Sequence, residues 1–191
     1  MLTQRNLSSS VAPNQNIPVG LILLSVQTVT STVASVSFTT GIDGTYDQYW
    51  LEWNNVTAPS GNSIMQANLI VAGTPATSGY VSHYAAPTSG TGNTYTSQSP
   101  SGYILCHIAL GSGVGDTGAG SITLLGPSSS TSVKPFIVDA ISTNSSGSVA
   151  NITVGNGAYV SNLGSPVTGV QFTAGSNLSS GTFRLYGVRN K

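Results

Sequence analysis

Val33-Ala34-Ser35-Val36-Ser37-Phe38-Thr39 alternates residue by residue, with Ala34, Val36 and Phe38 set against Ser35, Ser37 and Thr39. A period of two is the signature of a strand with one buried face, because successive side chains point to opposite sides of the backbone. Gly41-Ile42-Asp43-Gly44 supplies a turn, and Tyr46–Val56 continues the pattern. It sets Tyr49, Leu51 and Trp53 on one side and Trp50 and Glu52 on the other. Pro59-Ser60-Gly61-Asn62 turns the chain again, and Ser63–Ala72 follows with Met65, Ala67, Leu69 and Val71 on its apolar side.

Working outward, Val26–Val29 precedes this pair, and Tyr103–Leu110, Ser121–Leu125, Lys134–Ile141, Ser148–Val154, Thr168–Ala174 and Gly181–Val188 follow it. Residues 73–102 are loop-rich, broken by Pro75, Pro87 and Pro100, with one short strand at Tyr80–Tyr84. Loops of that length tend to be functional or ordered by a partner. No window carries a capped 3.6-residue period, so no long helix is expected. The reading is all-β: an antiparallel β-sandwich, jelly-roll-like, of about ten strands. Residues 21–191 form a single domain, and residues 1–20, with Ser8–Ser10, Pro13 and Pro18, read as an extended N-terminal arm.

Charge is the second decisive feature. Five basic and five acidic residues stand among 191, against about a quarter in ordinary domains. Ser and Thr supply roughly a quarter of the chain instead. Zero net charge argues against nucleic acid, which needs clustered Lys and Arg; Arg184, Arg189 and Lys191 are too few. The opening residues hold no apolar h-region, and Leu21–Leu24 is far short of a membrane span, so neither signal peptide nor membrane is expected. Five N-x-S/T sequons, starting at Asn6, Asn55, Asn144, Asn151 and Asn177, read as chance matches in so Asn- and Ser-rich a chain. Cys106 is the one cysteine, so no internal disulfide forms, which fits folding in a bacterial cytoplasm.

Two stretches, taken together, carry a resemblance. One runs from Leu24–Phe38 through Tyr46-Asp47-Gln48-Tyr49 to Trp53-Asn54-Asn55-Val56. The other is Val167–Phe172 followed by Ser180-Gly181-Thr182-Phe183-Arg184-Leu185-Tyr186-Gly187-Val188. Between them lie Gly113-Val114-Gly115, Ile122–Pro127 and Lys134-Pro135-Phe136. This order resembles a loose family of tailed-bacteriophage virion surface proteins, with a "YDxY" strand start and an "SGTxxLYG" last strand. The resemblance covers roughly residues 22–190 and implies a role rather than a chemistry: tail-fibre, tail-tip or head-decoration component.

The chemical alternatives are thin. Cys106 and His107 are adjacent on a strand, so they point to opposite faces and cannot form a dyad. Cys106 is expected on a buried face with Ile104, Ile108 and Leu110. His83 and His107 lack a carboxylate constellation for a metal. Asp43 and Asp47 offer too few oxygens for calcium, and capping the Gly41–Gly44 turn is the expected role of Asp43. Gly111–Gly115 lacks the Lys-Ser/Thr ending of a phosphate loop. Asp43, Asp47, Glu52, Asp116 and Asp139 are scattered, so paired-carboxylate hydrolysis has no motif. No enzyme activity, catalytic residue, cofactor or metal is expected.

Aromatic residues leave one binding option: Trp50, Tyr80, Tyr84 and Tyr95 as flat faces for a glycan or a subunit interface. The expected function is therefore that of a virion structural protein made in the host bacterial cytoplasm. It acts as a head-decoration (cement-like) subunit that forms a homo-oligomer, a trimer. The arm docks it on other virion proteins, such as the major capsid protein or tail proteins. A fibre would call for repeats or heptads that the chain lacks. The alternative is a tail-fibre or tail-tip subunit binding host-surface glycan.

Overall fold

The computed structural model describes residues 20–61, 63–87, 95–98, 102–113, 115–143 and 151–189. Residues 1–19, nearly all of the expected arm, lie outside the described residues, and Gly20 already belongs to the first strand. Among the described residues thirteen strands follow one another: β1 (Gly20–Val29), β2 (Val33–Phe38), β3 (Gln48–Thr57), β4 (Ser63–Val71), β5 (Thr74–Pro75), β6 (Tyr80–Pro87) and β7 (Tyr95–Gln98), then β8 (Ile104–Leu110), β9 (Gly118–Leu125), β10 (Lys134–Ser142), β11 (Asn151–Tyr159), β12 (Val167–Leu178) and β13 (Ser180–Arg189). There is no helix among the described residues. The all-β expectation holds. The additional strands come mostly from the loop-rich stretch, where β5 and β7 are short and β6 is longer than Tyr80–Tyr84.

The strands form two antiparallel sheets. The larger, sheet A, has the order β1-β13-β3-β9-β10-β11-β6-β7; the smaller, sheet B, runs β2-β12-β4-β5, with β8 also paired to β4. Eight strands nest from the outside in: β1 with β13, β2 with β12, β3 with β9, and β4 with β8. A long antiparallel ladder rolled in this way is a jelly roll. Two insertions, β5–β7 and β10–β11, interrupt the nest; β10, β11, β6 and β7 extend sheet A past β9, while β5 adds to sheet B. β8 packs against β6, β10 and β11.

The core lies between the sheets. Trp53 of β3 meets Phe172 of β12 at 5.5 Å between ring centroids, and Phe172 meets Phe183 of β13 at 5.2 Å. Tyr49, Leu51 and Trp53 are wholly buried, as their alternation in the sequence requires. Cys106 is buried as expected, but so are Ile104 and Leu105 on either side of the usual alternation. A register shift between Met65 and Gln66, opposite His107 and Leu105, makes this stretch a bulge that turns consecutive residues inward. The His107 side chain lies outside the described residues.

The two resembling stretches meet in space. Gly187 of β13 pairs with Tyr49 of β3, and a Cβ at Gly187 would overlap the ring of Tyr46. Tyr46 in turn packs edge-on against Tyr49 at 5.7 Å. Tyr49 Oη reaches back to the turn, donating to Asp43 O at 2.9 Å, while Asp43 Oδ1 accepts the Thr45 N–H at 2.8 Å. That last bond chiefly holds the Asp43 carboxyl below its ordinary range. Asp43 is therefore a turn cap, as its position between Gly41 and Gly44 implies.

Candidate docking face

The four aromatic residues singled out in the sequence do not gather into one surface. Trp50 lies on the outer face of sheet A, half-buried, tilted against Tyr186 at 5.5 Å. Beside them Arg184 Nη1 stands 3.6 Å from Glu52 Oε1, and Tyr186 Oη donates to Glu52 Oε2 at 3.3 Å. Tyr95 opens β7 opposite Pro87, and its side chain lies outside the described residues.

Tyr80 and Tyr84 correct the expectation of flat, exposed faces. They are 3% and 2% exposed, on the inner side of β6. Each crosses the sandwich with its hydroxyl. Tyr80 Oη accepts the Leu69 N–H at 2.8 Å and donates to Ala76 O at 3.2 Å. Tyr84 Oη accepts the Leu105 N–H at 3.0 Å. A buried amide without a partner is costly, so these phenols act as struts between the sheets. Burial pushes the Tyr80 hydroxyl up to about 12, and that of Tyr84 higher still. Neither ring is available to a sugar.

What the outer side of sheet A presents instead is a set of exposed aliphatic side chains spaced among polar ones. Leu21, Leu23 and Val26 on β1, Ile137 and Ile141 on β10, Ile152 and Val154 on β11, and Val81 on β6 all stand exposed, Ile137 by 50% and Leu23 by 52%. Register sets them in rows across the strands. One row reads Leu23, Tyr186, Trp50, Thr123, Ile137, Asn156, His83. The next reads Val26, Arg184, Glu52, Ser121, Asp139, Val154, Ala85. Shallow grooves run along this face. One of about 590 Å³ is lined by Val81, His83, Val133, Ile137, Asn156 and Val160; another of about 460 Å³ is lined by Ala119, Asp139, Ile141 and Ile152. A signal for this face was present in Lys134–Ser142, which is apolar on both sides, as in strands covered on both faces.

Reactive groups are placed for structure. Burial pushes the Cys106 thiol well up, and the thiolate, not the thiol, is the nucleophile. Lys134 is buried on the inner side of β10, donating from Nζ to Leu163 O at 2.9 Å, and burial lowers its pKa. Asp116 Oδ2 accepts the Gly113 N–H at 2.6 Å, closing the glycine-rich turn. No group of three or more His, Cys, Asp or Glu side chains comes together among the described residues. The grooves thus offer apolar contact and a few polar groups, which suits docking.

No family model and no curated protein matches the chain. Among solved structures the chain is similar to an exo-inulinase from Aspergillus awamori, with a TM-score of 0.46 and 11% identity. That match covers 87% of this chain and 29% of the other, so the chain spans less than a third of the inulinase's length.

Proposed function

We propose that this chain is a non-enzymatic structural protein on the surface of a tailed-phage particle, acting as a head-decoration (cement-like) subunit. It works by associating with copies of itself and by docking on the major capsid protein or a tail protein, with residues 1–20 reaching a neighbouring chain. The observation that carries the reading is the outer face of sheet A. Monomers rarely leave contiguous apolar surface beyond a few hundred Å² uncovered, and here exposed Leu, Ile and Val recur from β1 to β6. A chain with five basic and five acidic residues buries such a face at little desolvation cost. The ordered resemblance of residues 22–190 to virion surface proteins supplies the setting.

The glycan-binding alternative, a tail-fibre or tail-tip subunit, now rests on Trp50 and Tyr186, the aromatic pair on the outer face. Jelly rolls serve in capsid and lectin domains alike, so architecture does not separate the two. Antibody-gold electron microscopy of the parent particle does. Label over the head supports decoration, and label at the tail or its tip supports the alternative. Absence of label from the particle rejects both. Deleting residues 1–20 is expected to abolish incorporation, and unchanged incorporation would remove the arm's role.

A further inference from the structure

The outer face of sheet A is complementary to itself. In the order β1-β13-β3-β9-β10-β11, three strands lie on each side of the β3/β9 seam. Across that seam the charged row reads Val26, Arg184, Glu52, then Ser121, Asp139, Val154. A twofold axis along the strands at the seam, lying between two stacked sheets, exchanges left for right and keeps each residue in its row. Arg184 of each copy then faces Asp139 of the other, Val26 faces Val154, and Glu52 faces Ser121. In the neighbouring row Tyr186 faces Ile137 and Trp50 faces Thr123. The cation meets the carboxylate, Val26 and Tyr186 meet apolar side chains, and Leu23 and Trp50 meet the uncharged Asn156 and Thr123.

Two further observations favour a second copy as the occupant. Arg184–Glu52 is the one ion pair among the described residues, so Asp139, between Ser121 and Val154 on its row, has no cation of its own chain in ion-pair range. Self-pairing supplies one. The footprint also suffices. Six strands about 4.8 Å apart and four outward rows about 6.8 Å apart span on the order of 800 Å² per copy, the size of a standard specific interface. Stacked sheets cross at about −30°, which keeps the register nearest the axis.

We infer that this face is a self-docking surface, pairing two copies of the chain back to back about an axis along the β3/β9 seam, with reciprocal Arg184–Asp139 contacts. The inference deepens the assembly reading and rests on it for its biological setting, while its test needs no particle.

Sedimentation velocity on the full chain tests it. The wild-type chain is expected to be a dimer. Asp139→Arg and Arg184→Asp, each setting like charges face to face, are expected to weaken it at least about tenfold, because such juxtaposition costs several kcal/mol. The double swap, Asp139→Arg with Arg184→Asp, is expected to restore the dimer. Ile137→Ser, which changes no charge, is expected to raise the dissociation constant while leaving circular dichroism unchanged. A wild-type monomer, a trimer, or a dimer indifferent to Asp139→Arg and Ile137→Ser overturns the inference. So does a double swap as weak as the singles. A trimer or an indifferent dimer leaves the assembly reading standing, and gold label missing from the particle fails that reading without touching the dimer.

Discussion

Replacing Tyr84 with phenylalanine removes one oxygen and strands one backbone amide in the middle of the sandwich. The Leu105 N–H gives its hydrogen to that oxygen at 3.0 Å, and ring and amide are both buried. A buried donor left without a partner costs about 1–3 kcal/mol. For a domain of this size each kcal/mol lowers the melting temperature by about 2–4 °C, so a mid-range loss is about 4–8 °C. Tyr80→Phe strands the Leu69 N–H in the same way, since Ala76 O keeps the Asn68 Nδ2 donor at 2.7 Å. The two residues are four apart on β6, about 13 Å along the strand, so the losses are expected to add. A second assay uses pH. The Tyr80 hydroxyl titrates near 12 when folded against an ordinary 10.0, chiefly through desolvation. A raised folded pKa means that stability is complete below pH 10 and is lost as pH rises, because the unfolded chain gives up its proton first. At about pH 11 the loss from Tyr80 is about 1.4 kcal/mol, and Tyr84 acts in the same direction. Urea titrations between about pH 9 and pH 11 read this slope, and the phenolate absorbance by which wild type differs from Tyr80→Phe should appear chiefly with unfolding. Wild-type melting in Tyr84→Phe, or an unchanged alkaline slope in Tyr80→Phe, would refute the strut assignment.

Other perturbations test other parts of the fold. Ala72 and Gly73 link β4 to β5 with φ of 51° and 81°, the left-handed pair of a type I′ turn, so Ala72→Gly is expected to raise stability by about 0.5–1 kcal/mol in thermal melts. Gly120 on β9 has no room for a side chain, since a Cβ would stand 2.6 Å from that of Ala140 and 2.7 Å from Asp139 O; Gly120→Ala is expected to cost about 1–3 kcal/mol in urea titration. Lys134 is buried with its pKa lowered, so the unfolded chain holds that proton more tightly, and the Lys134 contribution to stability rises with pH towards the ordinary 10.5. Lys134→Met is expected to remove that rise, read as a pH-dependent difference from wild type in urea unfolding; parallel curves would reject the assignment.

Much of the fold was legible because it rests on local alternation. Tyr49, Leu51 and Trp53 point inward for the reason their spacing implies, and Asp43 caps the turn its glycines announce. Residues 73–102 were not legible, because β5 and β7, pairing with their sequence neighbours β4 and β6, are too short for an alternating period to show. Tyr80 and Tyr84 illustrate the limit at the candidate site. In Tyr80-Val81-Ser82-His83-Tyr84 both alternating sets mix polar and apolar groups, so the period does not say which set faces inward. Stranded amides across the core select the phenols, and Val81 is left outside. In the same way Ile137 and Ile141 read as core beside Phe136 and Val138, and only the register of β10 in sheet A places them outside. At Cys106 the alternation itself fails, because a bulge turns three consecutive residues inward.

The nested pairing has a consequence for how the chain is made. β1 finds its ladder partner only in β13, so the first strand waits for the last. From Val29 to Ser180 the ribosome must add about 150 residues, on the order of 8–30 s at about 5–20 residues per second. During that interval β1 carries Leu21, Leu23 and Val26 beside unpaired backbone amides, with no charge between them to repel another nascent chain. Non-local closure of this kind is slow even after release. Yield is then set by how long β1 stays covered, which makes chaperone capacity and synthesis temperature the quantities that govern how much of the chain reaches its folded state.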